Sequence, residues 1–225
     1  MKTSTERILT THTGSLPRPA GLTDRHDREA VRAAVAETVG RQLDAGVDII
    51  NDGEVSKPSY ATYVTERMSG FGGEPVPFQL RDLAAFPEFA QKMMGDPDLV
   101  AVFGNPSCNG PVAYTDTAPV EADIANLRAA SGDATETFMS AASPGVIEMF
   151  MPNRYYPSTE EYLLALADAM KTEYDAIHRA GSDDGGIPPG GGQAARGARP
   201  CHPGHPAGPA APAPVLGQLR GPAPH

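Results

Sequence analysis

The sequence predicts an α/β fold, the first half of a barrel of alternating strands and helices, and three features predict it. Val47, Ile49 and Ile50 form a short β-branched run, the mark of a strand buried in a parallel sheet. A helix precedes it, with Val31, Val35, Val39 and Leu43 recurring every four residues along one stripe. Strand and helix patterns then alternate until about residue 181, where composition breaks. Of the 45 residues from Gly181 to His225, 21 are Gly or Pro, and Lys and Glu are absent. Any core therefore has to come from residues 5–180, and a tail over 182–225 is expected to be disordered and to offer no strand.

The elements follow in order. Ile8–Thr11 reads as a first strand running into the turn-rich His12–Pro19. The helix from Asp27 to Ala45 has Asp27 as N-cap and Gly46 where a left-handed C-cap belongs. With the Val47 strand this makes a β-α-β unit whose second strand runs parallel to the first. From Ser56 to Pro106, Tyr60, Tyr63, Met68, Phe71, Phe78, Phe86 and Phe89 are scattered without a period. This stretch reads as an excursion over the mouth of the sheet, with short helices and a hairpin. Gly110–Tyr114 reads as a third strand, 121–130 as a helix with Ile124 and Leu127 inward, and 137–142 as a fourth strand closed by Ser143-Pro144-Gly145. The clearest helix begins at a Ser158/Glu161 capping box. It carries Leu163, Leu166, Met170, Tyr174 and Ile177 on one face and ends at Gly181. Its rhythm calls for a fifth strand that the Gly/Pro text does not supply.

Charge and composition exclude several functions. With 18 Lys and Arg against 28 Asp and Glu, the net charge is −10, which disfavours nucleic acid and anionic membranes as partners. No stretch approaches the length of a membrane span, and Met1–Gly14 lacks the apolar run of a signal peptide. Two cysteines, Cys108 and Cys201, make no disulfide framework, so a reducing cytoplasm is the expected compartment.

In parallel α/β sheets the carboxyl ends of the strands carry ligands. His12, Gly14 and Ser15 follow strand one, Asp52 and Glu54 follow strand two, and Ser143 and Gly145 follow strand four. Gly14 and Ser15 can offer backbone N–H groups to a carboxylate while Glu54 accepts from an ammonium group, which together suit an amino-acid zwitterion. The alternative is that Gly14 and Ser15 are only turn residues, and His12 alone reads as structural. Cys108 is isolated and reads as a small buried hydrophobe. Cys201, His202 and His205 lie in the Pro/Gly tract with no element to fix them as zinc ligands. There is no phosphate loop and no nucleophile elbow.

Several of these motifs resemble the cobalamin-independent methionine synthases in their zinc-dependent catalytic barrel. The resemblance rests on Thr10-Thr11-His12-Thr13-Gly14-Ser15-Leu16-Pro17-Arg18, on Ala45–Glu54, on Gly110-Pro111-Val112 and on Ser143-Pro144-Gly145. It covers roughly residues 6–181. It implies a TIM (β/α)8 barrel of which about the first four β/α units are present, in residues 1–181. It also implies a homocysteine site that includes Gly14, Ser15 and Glu54, with Glu54 holding the amino group and His12, Asp52 and Ser143 as further pocket residues. In that family zinc binds the homocysteine thiol, and a metal-bound thiol is deprotonated and nucleophilic near neutral pH. The thiolate then takes a methyl group from a methylated folate-type donor. Related members act as alkyl transferases on other thiols such as coenzyme M, or as decarboxylases.

The sequence departs from that pattern twice. It has no Trp, where the family resembles itself in an aromatic wall for the folate ring. The later strands that carry a His-x-Cys pair and a further Cys as zinc ligands are absent, so the chain is expected to have neither catalytic group nor metal ligand and to be inactive. Back-translating Ala211–His225 with permitted codons and moving the frame forward by one base spells Arg-Leu-His-Leu-Cys-Trp-Gly-Asn-Tyr-Glu-Gly-Pro-His-His. That string contains a family-like His-x-Cys, so the expectation is a frameshift near residue 181 that truncates the barrel. A four-stranded half-barrel would leave an open edge through which the chain associates or aggregates. A different class of function is a non-catalytic or regulatory fragment that binds amino acids or a full-length homologue.

Overall fold

The computed structural model describes residues 4–76, 85–94, 104–181 and 215–219. In order, these form α1 (Arg28–Asp44), β1 (Ile49–Ile50), a 3-10 turn (Thr62–Glu66), β2 (Phe71–Pro75), α2 (Pro87–Met94) and β3 (Pro106–Cys108). Then come α3 (Ala118–Ala130), β4 (Glu136–Ala141), α4 (Pro144–Phe150), α5 (Thr159–Ala180) and β5 (Val215–Leu219). The central sheet has the order β1-β4-β5, with β1 parallel and β5 antiparallel to β4. A second, two-stranded antiparallel sheet joins β2 to β3.

The helices sit as their sequences require. The Asp27 side chain accepts from the N–H groups of Glu29 and Ala30 at the start of α1, and Gly46 takes φ +76 just past its end, which L-residues with a Cβ adopt at a cost. Val31, Val35 and Val39 are buried, but Leu43, expected on the same stripe, is 36% exposed. The Ser158 side chain accepts from Glu161 N–H at the start of α5. The buried face of α5 runs through Tyr162, Leu166, Ala169, Met170, Glu173 and Ile177, one step round from the predicted stripe, with Leu163 and Tyr174 half-buried. Helices α1, α3 and α5 pack in succession, and α5 also covers β4 and β5. The main core gathers Val35, Ile50, Leu127, Met139, Leu166 and Met170.

The strands differ from expectation in three places, and the described residues form no closed barrel and no run of four parallel strands. Ile8–Thr11 is not a strand. Of its backbone only the Thr10 carbonyl reaches β1, accepting from the N–H groups of Asp48 (3.2 Å) and Ile49 (3.0 Å), while Thr10 N–H goes to the Asp48 carboxylate at 2.8 Å and the Thr11 hydroxyl donates to the Ile49 carbonyl at 2.9 Å. The third strand is Pro106–Cys108 rather than Gly110–Tyr114, and it pairs antiparallel with β2. Pro111 has no N–H to donate to a ladder, Val112 N–H is taken by the Tyr156 hydroxyl at 2.8 Å, and Tyr114 makes only an isolated bridge to Met68. The tail does contain a strand. Val215–Leu219 is free of proline and lies along the edge of β4 away from β1, so β4 is flanked on both sides. The remainder of the predicted disordered tail, with Cys201, His202 and His205, lies outside the described residues, as does Phe78.

The excursion after β1 divides by burial. Tyr63 and Met68 enter the core, whereas Tyr60, Phe86 and Phe89 are exposed. A helix not anticipated, α4, starts directly after β4 because Ser143 caps it and Pro144 occupies its first turn. Among the described residues no helix is long and apolar enough to cross a membrane.

Candidate functional site

The turn after β1 is built by its own side chains. Asn51 Oδ1 accepts from Gly53 N–H at 2.8 Å and Asp52 Oδ1 from Glu54 N–H at 3.0 Å, two successive Asx-type turns. They drive Gly53 and Glu54 into left-handed conformations, φ +66 and +56. Glu54 is a non-glycine residue held where a Cβ is unfavourable, a strain that surrounding structure must impose. Gln42 from α1 supplies part of it. Its side-chain amide accepts from Asn51 N–H at 3.0 Å and donates to the Asn51 carbonyl at 2.8 Å.

The segment before α1 is tied to the same turn. Leu16 N–H donates to the Gly53 carbonyl at 3.1 Å and Asn51 Nδ2 to the Gly14 carbonyl at 3.3 Å. Arg18 donates to the carbonyls of Val55 and Lys57. The result brings Ser15 beside Glu54, with the hydroxyl donating to Oε2 at 2.5 Å. Gly14 takes φ +144, and a Cβ there would lie 2.6 Å from Glu54 Oε1 and 3.3 Å from Ser140 Oγ. A larger residue here would be strained and would push the carboxylate from its place.

A cavity of about 370 Å³ opens at the carboxyl ends of β1 and β4, lined by Thr13, Ser15, Glu54, Tyr60, Ser140, Ala141, Ala142, Ser143, Val146 and Met149. Ser15, Glu54 and Ser143 are thus brought together as the sequence predicts, with Gly14 behind them. The Ser143 hydroxyl is already engaged, accepting from Val146 N–H at 3.3 Å as the cap of α4. His12 is not in this cavity. Its Nε2 lies 2.7 Å from Gln42 Oε1, its ring meets Phe138 edge-on, and it lines a separate hollow of about 290 Å³ with Leu16 and Val47. Asp52 is buried beneath the turn and does not line the cavity.

Beneath the cavity lies a buried ionic layer of which the sequence reading named only Asp52, and as a pocket residue. Burial pushes the Asp52 carboxyl up to about 6, partly opposed by the Lys57 ammonium. Lys57 is itself buried, donates to the Ser140 carbonyl at 2.5 Å and sits 4.5 Å from the centre of the Tyr63 ring. The Tyr63 hydroxyl donates to Glu173 and accepts from Ala142 N–H at 3.0 Å, while the Tyr174 hydroxyl donates to the Ala142 carbonyl at 2.6 Å. Two tyrosines therefore clamp the Ala142 peptide that forms the cavity wall. Glu173 also accepts from Tyr114 at 2.6 Å and from Arg67 at 3.3 Å, and Arg67 donates to Asp123 at 2.6 Å. Burial alone would lower Arg67, but Asp123 and Glu173 beside it raise it overall. The only sequence signals for this layer were charged residues at inward helical positions, Asp123 beside Ile124 and Glu173 between Met170 and Ile177.

Cys108 is buried as expected, with its thiol pushed up by burial. Among the described residues no three His, Cys, Asp or Glu side chains cluster as a metal site requires. These residues do not fit a zinc ion.

No protein-family model matches the sequence, and no curated protein matches it. Solved structures do match by shape. A B12-independent methionine synthase from Shewanella sp. W3-18-1, in complex with selenomethionine, aligns with TM-score 0.57 at 20% identity, over 74% of this chain and 47% of that one. A Listeria monocytogenes structure assigned to vitamin-B12-independent methionine synthase aligns with TM-score 0.48 at 17% identity, over 77% and 49%. The chain spans about half the length of these structures, and at such identity the likeness is one of fold: this chain shares the α/β architecture of half a methionine synthase structure.

Proposed function

We propose that this chain carries the amino-acid-binding half of a methionine-synthase-like S-methyltransferase site, and that the cavity at Glu54 holds the amino end of homocysteine. The observation that supports it best is the Gly14–Ser15–Glu54 cluster. A buried carboxylate, oriented by a serine hydroxyl and backed by a glycine, faces a cavity of about 370 Å³ at the carboxyl ends of β1 and β4. A carboxylate so placed accepts charge-assisted hydrogen bonds from an ammonium group. Val146, Met149 and Tyr60 supply apolar wall for a thioether or thiol chain. The shape match to a methionine synthase holding selenomethionine agrees with an amino-acid ligand.

In such an enzyme the metal would activate the thiol and a methylated folate would donate the methyl group. The described residues supply neither the metal ligands nor an assigned donor site, so their contribution is binding and orientation. The frameshift near residue 181 remains part of this proposal, and the gene sequence tests it. Codons for Val215 and Leu216 that lack TGC-TGG across their boundary rule it out.

Calorimetry of the full chain with L-homocysteine tests the site. Binding that Glu54→Ala abolishes is the expected result, and no binding by the wild type overturns the reading. A second reading is binding without turnover, supported by the same Ser15–Glu54 geometry, which holds an amino acid without acting on its thiol. Stoichiometric, tight zinc in purified protein would overturn that one.

A further inference from the structure

We propose that Ser140 is a second ligand for the ammonium group of the amino acid, beside Glu54 in the cavity wall. This rests on the amino-acid reading above and adds a residue to it. Ser140 comes from β4, and its hydroxyl oxygen is buried without a hydrogen-bond partner among the described residues. A buried hydroxyl is costly to leave unpaired, and this one lines the same cavity as Glu54. The two groups converge. The point where a Gly14 Cβ would sit is 2.6 Å from Glu54 Oε1 and 3.3 Å from Ser140 Oγ.

The Glu54 carboxylate has its Oε2 occupied by Ser15, and its Oε1 is turned toward Gly14 and Ser140. Both oxygens lie within 3.3 Å of one position on Gly14, so they are no more than about 6 Å apart, a span that one ammonium group making two N–H···O contacts of about 2.7–3.2 Å can bridge. A carboxylate supplies the charge and the hydroxyl a second acceptor. Ser140 is held in place for this by Lys57, which donates to its carbonyl at 2.5 Å. A carboxylate ligand would be repelled by Glu54, so the group between these oxygens is the cation of the zwitterion.

The test is calorimetry of the full chain with L-homocysteine and with its desamino analogue, 4-mercaptobutanoate, on wild type, Ser140→Ala and Ser140→Thr. Ser140→Ala is expected to weaken L-homocysteine about tenfold and leave the desamino analogue unchanged. Ser140→Thr, which keeps the hydroxyl, is expected to retain most of the affinity. Thermal melting supplies a second readout. Ser140→Ala removes an unpaired buried hydroxyl, so the ligand-free variant should melt no lower than wild type while losing part of the shift that homocysteine produces. Wild-type binding unaffected by Ser140→Ala overturns this inference and leaves the amino-acid reading standing. Equal loss for both ligands also overturns it, since the hydroxyl then holds a water or the cavity shape. No wild-type binding overturns both.

Discussion

The Tyr63 hydroxyl donates to Glu173 Oε1 over 2.6 Å, joining the turn behind the cavity to the middle of α5 across 110 positions of chain. Glu173 is fully buried and also receives Tyr114 and Arg67. Removing it leaves Arg67 buried with Asp123 as its remaining ion-pair partner. Breaking a buried ion pair from one side costs about 3–5 kcal/mol. Glu173→Ala is therefore expected to lower unfolding free energy in urea by that amount, and Glu173→Gln, which keeps hydrogen-bonding capacity, by less.

The same layer sets a pH dependence through Asp52. Burial raises its carboxyl from 3.8 to about 6, so the folded protein holds the proton more tightly than the unfolded chain. The corresponding stability is fully present below about pH 4 and is lost as pH rises toward 6, by about 2–3 kcal/mol. Asp52→Asn retains an acceptor for Glu54 N–H and has no proton to lose. The difference between wild-type and variant urea midpoints is expected to change across pH 4–6 and to be flat above it. A constant difference across that window contradicts the burial of an ionisable Asp52.

Gly14 and Gly46 both have positive φ but different surroundings. A Cβ at Gly46 meets nothing within 4 Å, whereas one at Gly14 meets Glu54 Oε1 at 2.6 Å. Gly46→Ala should cost only backbone strain, about 1–2 kcal/mol, and leave ligand binding alone. Gly14→Ala adds a clash to the strain and should cost on the order of 3 kcal/mol, with loss of homocysteine binding in calorimetry. Equal behaviour of the two variants would mean that Glu54 does not pack against Gly14.

Ser158 accepts from Glu161 N–H at 3.1 Å and starts the helix that carries Glu173. Ser158→Ala is expected to destabilise by about 1 kcal/mol, measurable by thermal melting, without changing affinity for an amino acid at the distant cavity.

Local signals in the sequence determined the ends of α1 and α5. Asp27, Gly46 and Ser158 mark helix ends through hydrogen bonds and φ preferences that act over a few residues, so they are legible without a fold. Glu54 and Ser143 could be placed on one face for a similar reason, since a strand's carboxyl end follows from chain direction, whereas Ser15 is brought there by the hydrogen bonds that tie its segment to the turn after β1. Only the tertiary structure decided that Ser143 spends its hydroxyl on α4, that His12 turns away to Gln42, and that Tyr60 and Ser140 line the cavity. It alone paired β3 with β2 and laid Val215–Leu219 along β4, because strand pairing depends on partners distant in sequence. The buried layer that joins Asp52 to Lys57, Arg67, Asp123 and Glu173 was likewise hidden. A charge at an inward helical position is stable only when partners from other elements surround it, and sequence periodicity carries no record of them.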